Sequence, residues 1–152
     1  MPQVESTVIV QAPLDKLWEL AQQVENMPQF MPDLESVEIL EEETLSPTQR
    51  RTKSRWVGLI KQMNRKIRWT EEDLWDSETH LCTFNQIEGD FTEHGGKWRF
   101  EAIDDQQTKA HLELRYVIEI PLLGALIQKI ILKLMQDNCN NMLNCLKAEA
   151  EK

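Results

Sequence analysis

Cysteine is scarce in this sequence: Cys82, Cys139 and Cys145 are the only three in 152 residues. The odd number and the spacing fit neither a disulfide framework nor a Cys/His zinc site. Cys139 and Cys145 are six apart on a predicted helix, about 120° off a shared face. The thiols therefore read as buried side chains of a protein kept in a reducing compartment. No apolar run approaches the ~18 residues needed to span a bilayer. The opening Met-Pro-Gln-Val-Glu lacks the basic and apolar regions of a secretory leader, so the expectation is a soluble cytoplasmic protein without a transmembrane segment. The three histidines do not cluster. There is no His-x-His, Glu-x-x-His or Cys-x-x-Cys pair, so no metal is expected, and no Walker loop, Gly-x-Ser-x-Gly or dinucleotide fingerprint, so no cofactor is implied.

Bases are outnumbered, 17 against 26 acids, for a net charge of −9. Nucleic acid is a poor partner for such a chain, because phosphate contacts need a positive face. The charge is unevenly spread. Between Leu45 and Thr70 there is no Asp or Glu, and that stretch holds eight of the 17 bases: Arg50, Arg51, Lys53, Arg55, Lys61, Arg65, Lys66 and Arg68. What is plentiful is apolar patterning. Apolar residues make up 41% of the chain, ordinary for a globular protein, and the length suits one domain, 1–152.

Gln3 to Val10 reads as a strand, and Ala12-Pro13 ends it. Leu14, Leu17, Trp18, Ala21 and Val24 recur at helical spacing. Pro28 and Pro32 leave room for only a short helical turn around Gln29 to Met31. Six strands then follow: Leu34–Glu43, Thr48–Val57, Lys61–Trp75, Leu81–Phe91, one carrying Trp98, Phe100 and Ala102, and one with Ala110, Leu112, Leu114, Tyr116, Ile118 and Ile120 on one side. Gly58 and the Glu93-His94-Gly95-Gly96 segment read as turns. After Pro121 a single helix is predicted from Leu122 to about Lys147. Leu123, Ile127, Ile131, Leu134, Met135, Met142, Cys145 and Leu146 fall within about 160° of its arc, with Lys129, Lys133, Gln136, Asn140 and Lys147 opposite. Leu122, Leu126 and Leu132 lie off the stripe, so the first half of this helix is more apolar than packing requires. Short connections make the strands antiparallel, and only the last helix is long enough to cover the sheet.

Three local patterns carry a resemblance. Val-Ile-Val-Gln-Ala-Pro-Leu-Asp-Lys-Leu-Trp-Glu-Leu (8–20) is the first. Val24-Glu25-Asn26-Met27-Pro28-Gln29-Phe30-Met31-Pro32 is the second. Glu88-Gly89-Asp90-Phe91 followed by Gly96-Lys97-Trp98-Arg99-Phe100 is the third. In this order they resemble the START/Bet v 1-like (SRPBCC) superfamily, in its polyketide cyclase/dehydrase and coenzyme-Q-binding (lipid transport) branch. Met27 stands where that pattern commonly has an aromatic, and Asp90 where it commonly has Pro. The resemblance implies an α+β helix-grip fold: a curved seven-stranded antiparallel sheet wrapped around the long C-terminal helix, with two short helices after the first strand.

The large residues on inward strand faces have two readings, a filled core or the wall of a cavity. The resemblance, and polar residues on the same faces (Thr52 and Ser54 with Trp56; Arg65 and Glu71 with Met63 and Trp69), favour a cavity, since each unpaired polar group in a dry core costs roughly 1–3 kcal/mol. The expected lining is Trp56, Met63, Arg65, Trp69, Phe84, Trp98, Tyr116, Ile127, Ile131, Leu134 and Met135, with Phe30 near the mouth. An inward Arg65 would need Glu71, another carboxylate or a ligand oxygen as partner; otherwise it snorkels to water. The acid clusters Glu41 to Glu43 and Glu71 to Asp73 read as strand-end residues that solubilise edges, and His94 as a turn residue. Three functions follow. One is a binder of a hydrophobic small molecule (lipid, isoprenoid quinone or polyketide), as carrier or presenter. The second is an aromatase/cyclase-dehydrase, with Arg65, Glu71 and Tyr116 the nameable candidates. The third is a docking domain using the basic 50–68 hairpin toward an acidic protein, RNA or an anionic membrane. The hairpin's plainer reading is a solvated face balanced by Glu41 to Glu43.

Overall fold

The computed structural model describes residues 2–119 and 124–152. Its strands are β1 (Gln3–Val10), β2 (Leu34–Thr44), β3 (Gln49–Ile60), β4 (Arg65–Asp76), β5 (Leu81–Gly89), β6 (Glu93–Asp104) and β7 (Gln107–Val117). They form one antiparallel sheet in the order β1-β7-β6-β5-β4-β3-β2. Helix α1 (Leu14–Gln22) and a 3-10 helix (Val24–Gln29) follow β1, and α2 (Ala125–Ala150) follows β7. This is the seven-stranded helix-grip arrangement. Register shifts between Leu34/Ser36 and Ile39/Glu41 in β2, at Thr70/Glu71 in β4 and at Ala102/Asp104 in β6 supply the local bends that let a sheet curl.

Several boundaries differ from expectation for physical reasons. Pro28 lies inside the 3-10 helix, which therefore begins at Val24 rather than at Gln29. Lys61–Met63 is a single 3-10 turn closed by Asn64 in the left-handed region (φ 48°), so β4 starts only at Arg65. Gly58 is no turn; it lies within β3, where a Cβ would meet the Trp69 ring at 3.2 Å. His94, Gly95 and Gly96 are not a turn either. They belong to β6 and are buried, because β6 passes so close to β7 that a Cβ on Gly96 would come within 1.9 Å of the Glu113 carbonyl oxygen. β7 ends at Val117. The expected positions of Ile120, Leu122 and Leu123 lie outside the described residues.

On β7 the alternation holds: Ala110, Leu112, Leu114 and Tyr116 are all buried. Helix α2, about 39 Å long at 1.5 Å per residue, buries Ile131, Met135, Cys139, Leu143, Leu146 and Ala150. That row is spaced by four and three. It includes Cys139 and Leu143, which the 160° stripe had omitted, and leaves Ile127, Met142 and Cys145 partly buried. Gln136 and Lys147, expected on the solvent side, instead reach the edge strand: they donate to the carbonyls of Glu5 (2.8 Å) and Ile9 (3.0 Å). A helix laid along β1 thus satisfies edge carbonyls that another chain could otherwise pair with. At the far end of α2 the grip is solid. Trp18 of α1 packs edge-on against Trp75 (5.7 Å) and Phe100 (5.9 Å), and the buried Thr108 hydroxyl donates to the Ala12 carbonyl at 2.8 Å. Leu126, Ile130 and Leu132, on the first half of α2, stay exposed.

Candidate functional site

The interior is filled at the α1 end and hollow at the other. Alternate residues of β3 (Thr52, Ser54, Trp56, Gly58) and of β4 (Ile67, Trp69, Glu71, Asp73, Trp75) point inward, as a two-residue strand period requires. The register sets Trp56 against Trp69, Ser54 against Glu71 and Thr52 against Asp73. The two indoles stack at 5.8 Å with planes 10° apart. Trp69 fits where neighbouring backbone approaches without side chains, at Gly58 and at Gly89 (φ 156°), whose Cβ would lie 2.6 Å from the Trp69 Cα. With Phe84, His94 and Trp98 from the far strands, Phe91 from the β5–β6 connection and Leu134, Met135, Asn138, Cys139 and Met142 from α2, these residues line a partly open chamber of about 100 Å³. A single water needs only ~10–15 Å³ on the same measure. A vestibule of about 350 Å³ shares Ile60, Ile67, Phe91 and Met135 with the chamber and opens between Met63, Arg65, Arg68, Ile118 and Ile131.

Trp56, Trp69, Phe84, Trp98, Leu134 and Met135 line the chamber as expected. Met63, Arg65 and Ile131 border the vestibule instead. Arg65 is exposed at its mouth and does not pair with Glu71, since it sits at the solvent end of β4, six residues from the buried carboxyls. Met63 is exposed because its turn carries it off the strand. Phe30 and Ile127 pack half-buried against the core, and Tyr116 is buried in it; none of the three lines either space.

Thr52, Ser54 and Glu71 face inward as expected, and the strand-end reading of the Glu71 to Asp73 cluster is overturned. Glu71 and Asp73 are not strand-end solubilisers; they are 4% and 2% exposed. Asp73 accepts from the hydroxyls of Thr52 (3.1 Å) and Ser54 (2.8 Å), which in turn accept from the indole N–H of Trp75 (3.2 Å) and of Trp56 (2.8 Å). Glu71 accepts from the Trp69 indole at 2.7 Å and hydrogen-bonds Asp73. Burial, and then the charge of Asp73, hold the Glu71 carboxyl well above the usual carboxylate range, the direction that favours its neutral form. The same alternation that placed Trp69 inward carried this signal two and four residues further along. His94 was missed for a different reason: two following glycines read as a turn. Its ring lies among Phe91 (4.5 Å), Trp69 (5.0 Å) and Phe84 (5.7 Å). Nδ1 is buried without a hydrogen-bond partner among the described residues, and burial pushes the imidazole pKa down to about 3.

Glu71→Gln tests whether the neutral form prevails. A glutamine amide can donate to Asp73 and accept from Trp69 as the protonated acid does. A carboxyl whose folded pKa is raised contributes fully below the unfolded value and loses that contribution as pH rises through the folded one. The variant should therefore match the parent near pH 4.5 and exceed it near pH 8 by on the order of 1–3 kcal/mol, read by denaturant titration. Equal stability at pH 8 would mean Glu71 carries no such burden.

Four of the eight cations between Leu45 and Thr70 are paired: Arg50 with Glu42 (2.9 Å), Arg51 with Glu43, Arg55 with Glu38 (3.5 Å) and Lys66 with Glu35 (2.7 Å). The thiols of Cys82 and Cys139 are buried and unpaired. Burial, with the acids near each, raises the first well above its usual value and the second to about 12, so neither is a nucleophile at neutral pH. No helix of the described residues is long and apolar enough to cross a membrane.

Residues 10–143 match the family model described as polyketide cyclase / dehydrase and lipid transport. Among solved structures, the Thermus thermophilus protein TTHA0849 is 34% identical with a TM-score of 0.89, covering 98% of this chain and 97% of its own. The ZhuI aromatase/cyclase from a Streptomyces species is 24% identical with a TM-score of 0.86, covering 98% and 93%. A START superfamily protein from Mycobacterium smegmatis is 18% identical with a TM-score of 0.81, covering 99% and 98%; likeness at the last two identities speaks for the fold. No curated protein matches the chain.

Proposed function

Because the chain belongs to the polyketide cyclase/dehydrase and lipid transport family, we propose that it binds a hydrophobic small molecule (a lipid, isoprenoid quinone or polyketide) between α2 and the sheet and carries or presents it. The observation that supports this most is the hollow half of the grip: an aromatic chamber continuous in its walls with an open vestibule, the mix of apolar surface and few polar anchors typical of ligand sites. Burying apolar ligand there contributes roughly 25 cal/mol per Å², and Met135, on the wall of both spaces, is flexible enough to adapt to shape. The exposed Leu126, Ile130 and Leu132 on the overhanging half of α2 suit a portal. Arg65 at the vestibule mouth suits an acidic partner or an anionic membrane surface met there.

Native mass spectrometry of the protein as purified, followed by solvent extraction, should detect a bound apolar molecule. Ile131→Trp, which fills the vestibule, should cut its occupancy several-fold at a stability cost of only about 1–3 kcal/mol. A protein that takes up no apolar ligand, or an Ile131→Trp variant that unfolds with nothing to displace, would sink this reading.

One observation favours the aromatase/cyclase alternative. Glu71, whose carboxyl burial holds above the usual carboxylate range, lies in the chamber wall, an acid on the side where loss of water during cyclisation would call for a proton donor. A bound polyketide recovered short of one water from the parent protein but intact from Glu71→Gln would support it; intact recovery from both would leave the carrier reading.

A further inference from the structure

The chamber and its mouth differ in charge. Among the described residues, no Lys or Arg lines the chamber. The ionisable side chains there are Glu71, Asp33, Asp137, His94 and the buried thiol of Cys139. Asp33 already accepts from the amides of Asn138 (3.3 Å) and Asn141 (3.5 Å), and Asp137 is paired with Lys133 at 2.9 Å. The cations Arg65, Lys66 and Arg68 border only the vestibule, alongside Asp90 and Glu119, and Lys66 is paired with Glu35 at 2.7 Å. A carboxylate or phosphate entering the chamber would shed its water and meet acids, with no counter-ion to replace the hydration it lost.

One polar group on that wall is unused. His94 is only 8% exposed and clasped by three aromatic rings, and its Nδ1 has no partner among the described residues. Buried polar atoms without partners are rare and call for an explanation, an absent ligand among them. A neutral imidazole has one N–H donor and one lone pair, whichever tautomer it adopts. A neutral hydroxyl, which both donates and accepts, satisfies either arrangement. Phe91, Trp69 and Phe84 pack around the imidazole, and with Trp56 and Trp98 they make the aromatic wall that a flat ring carrying that hydroxyl would lie against.

We infer that His94 is the specificity-determining residue of the chamber, selecting flat apolar ligands that carry a neutral oxygen function and excluding those whose buried end is anionic. This rests on the binding function proposed above and narrows it to a ligand class. Only a ligand whose acid hangs on a chain long enough to reach the vestibule would lie with its neutral ring inside and the acid at the Arg65 rim; an acid bonded directly to the ring has no such escape.

Three probes of one shape separate the elements of this claim: naphthalene, 2-naphthol and 2-naphthoate, titrated by calorimetry at pH 7 and followed by quenching of the chamber tryptophans. 2-Naphthol should bind about tenfold tighter than naphthalene, the size of one buried hydrogen bond, and 2-naphthoate should fail to compete with it. His94→Phe, which keeps the ring stack and removes both nitrogens, should bind naphthalene and 2-naphthol alike. Equal affinity of the parent for naphthalene and 2-naphthol, a preference that survives in His94→Phe, or effective competition by 2-naphthoate would each overturn the inference while leaving apolar binding intact. If none of the three binds, the binding function falls and the inference with it.

Discussion

Replacing His94 with phenylalanine should flatten the acid side of the protein's stability curve. In the folded chain the imidazole pKa is pushed down to about 3 by burial, against 6.5 for a free histidine. A base with a depressed folded pKa stabilises fully above its unfolded value, and that contribution is lost as pH falls from about 6.5 toward 3, because the unfolded chain takes up a proton the folded one refuses. Each pH unit below 6.5 costs about 1.4 kcal/mol, so by pH 4.5 the parent should have lost about 3 kcal/mol that His94→Phe retains. Above pH 7 the variant should already be more stable by on the order of 1 kcal/mol, since it no longer buries an unpaired nitrogen. Glu71 titrates with the opposite sign in both proteins and drops out of the comparison. Urea unfolding at half-unit steps between pH 7.5 and 4.5 measures the gap. Parallel curves for parent and variant would show that the ring is not desolvated.

Gly96→Ala should cost about 3–5 kcal/mol, near the upper end for a single methyl. The new Cβ would fall 1.9 Å from the Glu113 carbonyl oxygen and 3.0 Å from the tip of the Phe84 ring. Backbone of a paired strand cannot retreat without breaking the β6–β7 ladder, and Phe84 cannot retreat without entering the chamber. Gly124→Ala is the matched control: among the described residues its Cβ would have nothing within 4 Å, and its effect should stay within about 1 kcal/mol. A Gly96→Ala protein that melts within a few degrees of the parent would mean that β6 and β7 can separate at little cost, and the chamber wall would then be less rigid than the stacked rings indicate.

Both residues mark where the linear sequence misleads. His94-Gly95-Gly96 is a turn by composition, because glycine pairs most often serve turns. Here the glycines serve close approach of two strands, a property of the partner strand's position that no local window contains. Asp73 looks like a solvated strand-end acid for the same reason: acidic side chains are almost never fully buried unless partnered, and its partners Thr52 and Ser54 become visible only through the β3–β4 register, whereas Glu71 has its partner Trp69 two residues earlier on the same strand. Arg65 shares their strand and their parity, yet three preceding residues form a turn, and it ends at the mouth rather than in the wall.

What the sequence by itself determined is the part governed by periodicity. The two-residue alternation of β3, β4 and β7 set which side chains face inward, the helical spacing of α2 set most of its buried face, and the element order with its antiparallel connections specified the grip. What only the tertiary structure decided is which stretch of that interior is filled and which is hollow. Trp18, Trp75 and Phe100 close one end while Trp56, Trp69, Phe84 and Trp98 leave room at the other, and all seven carry the same local signal of large apolar side chains at inward positions. The difference lies in how far the sheet stands from α2 at each level, which depends on the bulges, on the glycines and on α1 plugging one end. That distance separates a carboxyl pair at the surface from a buried acid in a chamber wall.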